Sequence, residues 1–142
     1  YLQQSISQNL GVKVELNTVG DYQMFANERD NKNYDIFVGG WFSDYNDPLD
    51  FLNVMKTGVY DSYGLYSNSE YDSLLDSLTG ENDNAKRLEI YQKLEDLLVA
   101  QDCGVAPLYY SDKHYYYRNW VKDFYTSSFG ASQELYRASV QK

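Results

Sequence analysis

An apolar run, Ile36-Phe37-Val38, closed by Gly39-Gly40 and followed at once by Trp41, Phe42, Asp44, Tyr45 and Asp47 before Pro48, limits what this chain can fold into more than any other stretch. Three large apolar residues ended by two glycines read as a buried strand whose end passes close to other backbone. The loop after it mixes flat aromatic faces with carboxylates. In open α/β sheets the strand ends hold such loops where ligands can reach them, because the sheet fixes the loop and the loop stays open to solvent. The candidate site therefore starts at Gly40.

The order of segments around this strand predicts an α/β fold. Leu2, Ile6 and Leu10 lie four apart on one helical stripe, and Gly11 follows where a left-handed cap ends a helix. Val12, Val14 and Leu16 alternate with polar residues, as in a half-buried strand. Asp21 is a candidate N-cap for a helix carrying Phe25 and Ala26. Strand, short helix and strand at this spacing predict a βαβ unit with parallel strands and a right-handed crossover. Pro48 then opens a short helix through Leu52 and Met55 that stops at Gly58. Val59 to Tyr66 reads as loop or irregular strand.

Asn68 and Ser69 precede a helix with Tyr71, Leu74, Leu75 and Leu78, capped near Gly80. Asp83 caps the longest helix, expected from Asn84 to Gln101, in which Leu88, Tyr91, Leu94, Leu97 and Leu98 recur at core spacing and Glu89 faces Lys93. Val105 to Tyr110 is expected as a strand with Pro107 at an edge or bulge, Asp112-Lys113 as a turn, and the polar tail from Thr126 as poorly anchored. The single cysteine, Cys103, rules out an internal disulfide and reads as a small buried hydrophobe.

Charge narrows the partners. Twelve Lys and Arg against 21 Asp and Glu give a net charge of −9, a field that repels phosphate backbones, so nucleic acid is excluded as a partner. No apolar run reaches the roughly 20 residues of a membrane-spanning helix. The chain begins at Tyr1 rather than Met, which reads as a processed or excised chain. Tyrosine is abundant, 16 of 142 residues; its broad face and polar tip suit wet recognition surfaces, although most copies are expected to be half-buried.

Chemistry alone leaves Asp44 with two readings. Among Trp41, Phe42 and Tyr45 its carboxylate could take a ligand ammonium, or it could close the loop by bonding its own backbone. Asp47 before Pro48 reads as an N-cap. Asp44-Tyr45-Asn46 starts like a calcium loop, but Leu49 stands where the sharp turn needs glycine, so no such metal site is expected. Asp44 with Asp47 or Asp50 could be drawn as a glycosidase pair. His114 is the only histidine and lacks a nucleophile-elbow serine, so it reads as an ordinary strand residue. Gly39-Gly40 lacks the phosphate-cradling pattern, and no cofactor is expected.

Tyr34-Asp35-Ile36 with Gly40-Trp41-Phe42-Ser43-Asp44-Tyr45-Asn46-Asp47-Pro48 resembles the C-terminal lobe of the oligopeptide- and dipeptide-binding proteins of ABC importers, the family 5 extracellular solute-binding proteins. Asn68 to Leu75, Arg87 to Leu98, Pro107 to Tyr110 and Asn119-Trp120-Val121 follow in the family's order. The resemblance implies a periplasmic-binding-protein-like (type II) lobe, a mixed sheet flanked by helices, which is a fragment of a two-lobed clamp that binds and does not catalyse. Residues 1–118 would form the C-terminal lobe, and 119–142 would return toward a missing N-terminal lobe. The ligand-binding residues by carry-over are Gly40, Trp41, Phe42, Ser43, Asp44, Tyr45 and Asn46. The backbone of Gly40-Trp41-Phe42 would pair with an extended oligopeptide and Asp44 would take its α-ammonium. Some members place a basic residue two positions before the motif glycine; Val38 stands there, so no carboxylate clamp is expected at that position. The partners implied are an oligopeptide, the missing lobe and ABC permease subunits. The location implied is the outer face of the cell membrane or the periplasm, with a lipid anchor upstream. Alternatives are a sugar or other solute as ligand, a glycoside hydrolase, or a surface adhesin fragment.

Overall fold

A computed structural model describes residues 1–59, 65–130 and 135–141, and the chain divides into two compact units, Tyr1–Phe37 and Val38–Lys142. The part of the expected Val59 to Tyr66 loop at residues 60–64 lies outside the described residues, as does part of the tail.

The first unit holds α1 (Leu2–Leu10) and α2 (Tyr22–Asp30). Gly11 closes α1 in the left-handed region at φ 66°, where its N–H donates to the Ser7 carbonyl. Asp21 caps α2 by accepting from the Met24 amide at 2.9 Å. Ala26 is the only buried residue of these two helices, and a run of ring contacts does the packing: Tyr22 to Phe25 at 6.3 Å, Phe25 to Phe37 at 6.3 Å and Phe37 to Tyr34 at 5.2 Å. The expected βαβ ladder is absent among the described residues, since neither 12–17 nor 34–39 is in a strand. Side chains hold these segments instead. Gln3 donates to the Val14 carbonyl at 2.8 Å, and Glu28 accepts from Asn17 at 3.2 Å and from Asn33 at 2.6 Å. A strand is defined by its neighbour's hydrogen bonds, and alternation such as Val12-Val14-Leu16 predicts the face but supplies no partner.

The second unit carries the core. α3 (Leu49–Leu52) runs into a 3₁₀ turn at Asn53–Met55; α4 (Ser69–Ser77) and α5 (Asn84–Glu95) follow, and β1 (Val121–Lys122) pairs antiparallel with β2 (Ser139–Val140). Tyr71 and Leu94 are fully buried, surrounded by Leu52, Val54, Met55, Leu75, Leu78, Leu97 and Leu98. Burying a leucine side chain such as Leu94 contributes about 1.5–3 kcal/mol. The Tyr71 hydroxyl keeps its place in that core by donating to the Leu52 carbonyl at 2.8 Å, which also locks α4 onto the end of α3. The caps are those expected: Asn68 accepts from the Glu70 and Tyr71 amides, and Asp83 from those of Ala85 and Lys86, each cap contributing about 1 kcal/mol.

The end of the long helix differs in detail. After Glu95 the coil widens into a π-turn at Asp96–Gln101, and Cys103 takes the left-handed position at φ 52°. Its side chain is exposed, not buried, because a residue in that position points off the end of the helix. Gly104 has a different duty: a Cβ there would sit 2.6 Å from the Tyr66 ring and 3.1 Å from Leu98. Asp102 accepts from the Tyr66 hydroxyl and the Asn68 amide, both at 2.7 Å, and these bonds hold its carboxyl below the usual carboxylate range. Residues 105–110 are not in a strand, with Leu108, Tyr109 and Tyr110 exposed. The Glu89–Lys93 pair does not form among the described residues. The tail is better held than its composition suggests, through β2 and the Gln141 amide donating to Trp120 at 2.9 Å. Most of the tyrosines among the described residues are exposed rather than half-buried, Tyr1, Tyr22, Tyr109, Tyr110, Tyr116 and Tyr136 among them.

Gly104→Ala is expected to lower stability by about 1–3 kcal/mol, the range for forcing an extra carbon into a filled site. Urea unfolding of the variant beside Cys103→Ala, whose side chain is exposed and whose loss should change little, checks this.

Candidate functional site

The loop from Gly40 to α3 is fastened from beneath by two carboxylates. Pro48, at φ −54°, starts the helix, as its locked ring allows. Just before it, Asp47 accepts from the Leu49 amide at 2.9 Å, the capping role expected of it. The same carboxylate accepts from Arg87 Nη2 at 2.7 Å and from the Tyr91 hydroxyl at 2.5 Å, both on α5. Arg87 also donates to the Tyr91 oxygen and, through Nη1, to the Glu81 carbonyl at 3.2 Å. Burial pushes the Asp47 pKa up, but the bonds from Tyr91 and Leu49 and the Arg87 charge outweigh it and hold the group below 3.8. Burial and the neighbouring Asp47 push the Tyr91 hydroxyl up to about 12, so it remains a donor.

Asp50, on the first turn of α3, is the second fastening and is 7% exposed. Its Oδ2 accepts from the Trp41 indole at 3.2 Å and from the Asp44 amide at 2.8 Å. Trp41 packs against the core below. On the other flank the Gly130 amide donates to the Ser43 carbonyl at 2.9 Å; Gly130 has φ 58°, and a Cβ there would lie 3.4 Å from the Asp44 carbonyl. The Ser43 hydroxyl donates to the Tyr45 carbonyl, which tightens the turn from inside.

What remains faces outward. Phe42, Asp44, Tyr45 and Asn46 are exposed. A Cβ on Gly40 would meet nothing, and neither Gly40 nor Phe42 makes a backbone hydrogen bond among the described residues. The Asp44 carboxylate has no hydrogen bond or ion pair there either, so its amide closes the loop and its side chain does not. The seven expected residues, Gly40 to Asn46, are consecutive on one loop, Trp41 and Ser43 partly buried and the other five exposed. Two shallow cavities lie elsewhere, about 570 Å³ beside Trp120 and Lys122 and about 360 Å³ beside Phe124 and Tyr136. Among the described residues no three His, Cys, Asp or Glu side chains are grouped to hold a metal ion.

The part that Asp50, Arg87 and Tyr91 play in holding this loop escapes sequence reasoning. Asp50 had a signal, since a Trp whose ring is buried needs an acceptor for its indole N–H. Arg87 and Tyr91 lie four apart on α5 and 40 or more residues from Asp47, and nothing local announces that contact.

Residues 1–62 match the family described as bacterial extracellular solute-binding proteins, family 5, middle. Oligopeptide-binding protein OppA of Bacillus subtilis (strain 168) is 32% identical over 124 residues, covering 86% of this chain and 21% of that protein. Periplasmic oligopeptide-binding protein OppA of Salmonella typhimurium (strain LT2) is 31% identical over 80% of this chain and 20% of that protein. The crystal structure of the substrate-binding domain of an oligopeptide ABC transporter from Bacillus anthracis str. Ames superposes with a TM-score of 0.87 at 28% identity, covering 100% of this chain and 28% of that one. The chain therefore spans about a fifth of the length of the curated relatives it matches.

The Asp47 fastening predicts a pH signature. A carboxyl whose folded pKa is depressed adds stability above its unfolded value, and that stability is lost as pH falls through 3.8 toward the folded value. Asp47→Asn should cost about 1 kcal/mol at pH 7. In paired unfolding curves the gap between variant and wild type should close as the pH is taken below 3.8.

Proposed function

Starting from the fact that this chain belongs to the family 5 bacterial extracellular solute-binding proteins, we propose that it is the C-terminal lobe of an oligopeptide-binding protein of an ABC importer. The fold is of the periplasmic-binding-protein type. In the complete protein a peptide is captured between two lobes outside the cell membrane and handed to permease subunits; the chain supplies half of the site and no catalysis. An upstream lipid anchor belongs to the same proposal.

The observation that carries the proposal is the Asp44 carboxylate, exposed and unpartnered on a loop whose own amide is fixed by Asp50. A charge left open on a rigid support suits a ligand ammonium, which it meets without rearranging. The open backbone at Gly40 and Phe42 suits an added strand of peptide, whose main chain is the same for every sequence. Asp47 and Asp50 are committed to internal donors, which disfavours a pair of working glycosidase carboxylates.

The sheet belongs to the proposal as well. Val12, Leu16, Ile36, Val38, Leu108 and Tyr109 are exposed in segments whose pattern is that of strands. A mixed sheet completed by the rest of the protein would cover them. Residues 1–118 would then form the lobe, and 119–142, with Trp120, Tyr125 and Tyr136 exposed, would cross toward the N-terminal lobe.

In the full-length protein, Asp44→Ala should weaken binding of free-amine peptides by about 10–100-fold and that of N-acetylated peptides far less. Equal losses for both would remove Asp44 from the ammonium role. A thermal-shift panel tests the ligand class: peptides should raise the melting temperature by mass action, and a response to oligosaccharides alone would assign the lobe to a sugar binder.

A further inference from the structure

The peptide unit between Ser43 and Asp44 is held at both edges. Its carbonyl, on Ser43, accepts from the Gly130 amide at 2.9 Å, and its N–H, on Asp44, donates to the Asp50 carboxylate at 2.8 Å. A peptide unit is planar and rigid, so two bonds at opposite edges fix its rotation, where either bond alone would let it rock. The tilt of that plane sets the direction in which the Asp44 side chain leaves the loop.

The bond on the Ser43 side is one of a series. The Gly130 N–H belongs to the same peptide unit as the Phe129 carbonyl, and that carbonyl accepts from the Ser127 hydroxyl at 2.7 Å. Hydrogen bonds therefore run head to tail from Ser127, through the Phe129–Gly130 unit and the Ser43–Asp44 unit, to the buried Asp50 carboxylate. Each accepted bond polarises its unit and makes the N–H a stronger donor to the next. The Ser127 hydroxyl also accepts from the Phe129 amide at 3.1 Å, which braces the turn that presents Gly130. Gly130 sits in the left-handed region at φ 58°, which glycine reaches without steric cost and asparagine reaches far more readily than a β-branched residue.

We propose that Ser127 and Gly130 are positioning residues for the ligand: the relay they begin aims the Asp44 carboxylate, so that the 127–130 turn and ammonium capture at Asp44 stabilise each other. This rests on the peptide-binding reading above and adds to it a support from the 119–142 segment, which that reading takes across to the other lobe. The coupling is reciprocal, so a ligand ammonium that holds Asp44 tightens the turn by the factor with which the turn tightens ammonium binding.

Isothermal titration of the full-length protein with free-amine tri- to hexa-alanine peptides tests this, in wild type and in an Asp44→Ala background. Gly130→Val, which disfavours the left-handed region, should weaken binding by about 3–10-fold, the worth of one hydrogen bond, and Ser127→Ala by about two- to threefold. Gly130→Asn and Ser127→Thr, which keep the turn and the hydroxyl, should bind as wild type does. In the Asp44→Ala background neither Gly130→Val nor Ser127→Ala should weaken binding further, because no carboxylate is left to aim. In hydrogen-exchange mass spectrometry of wild type, saturating peptide should slow amide exchange over residues 127–130. Equal losses in both backgrounds would make the turn a general brace and overturn the proposal, as would full affinity in both variants or unchanged exchange at the turn. Should Gly130→Val not fold, Ser127→Ala and the exchange measurement decide. Failure of wild type to bind any of these peptides overturns the peptide-binding reading itself, and this inference with it.

Discussion

A carboxylate removed from water must be surrounded by donors or it unfolds what it sits in, and Asp50 meets that requirement in a way that shapes the loop above it. Its donors are the Trp41 indole and the Asp44 amide, one from each side of Phe42 and Ser43. Because both converge on one oxygen, the backbone between them has little freedom. The need to satisfy a buried charge thus becomes positional accuracy for Phe42 and Asp44, which are themselves exposed.

Asp47 does the complementary job at the other end of the loop. Where Asp50 holds the loop to its own following helix, Asp47 holds it to α5 through Arg87 and Tyr91. Arg87 in turn reaches back to the Glu81 carbonyl in the turn before its own helix. A planar guanidinium suits this because its donors fork in fixed directions, so one residue can tie a loop, a turn and a helix without crowding. Three aspartates within seven residues therefore carry three different duties: Asp47 and Asp50 face inward to donors, and Asp44 alone faces outward.

What could be read from sequence follows the range of the interaction. Caps at Asp21, Asn68 and Asp83 are decided within three residues, and they stand as expected. The helical stripes through Tyr71 and Leu94 were legible for the same reason, since the period names the buried face. The loop from Gly40 to Asn46 is a contiguous stretch that sequence can single out, but its support is not, because Arg87 and Tyr91 meet Asp47 across 40 and more residues. No ladder forms at 12–17, 34–39 or 105–110, because alternation in the first and apolar runs in the other two favour burial and leave the pairing partner unspecified. Cysteine is usually buried, but Cys103 stands exposed at a left-handed helix end, which residue type alone does not reveal.

Every fastening of the loop lies within the unit Val38–Lys142: Asp47, Asp50, Arg87, Tyr91 and Gly130 all belong to it. The geometry that presents Asp44 and the open backbone at Gly40 and Phe42 therefore needs nothing from beyond that unit. A loop fastened in this way is organised in advance, so any ligand that meets it pays little for ordering it. That division also separates affinity from selectivity. In the proposed function, main-chain pairing and ammonium capture would be blind to side chains, and discrimination would fall to groups at the margin of the loop, where a single exposed charge can change without disturbing the supports beneath.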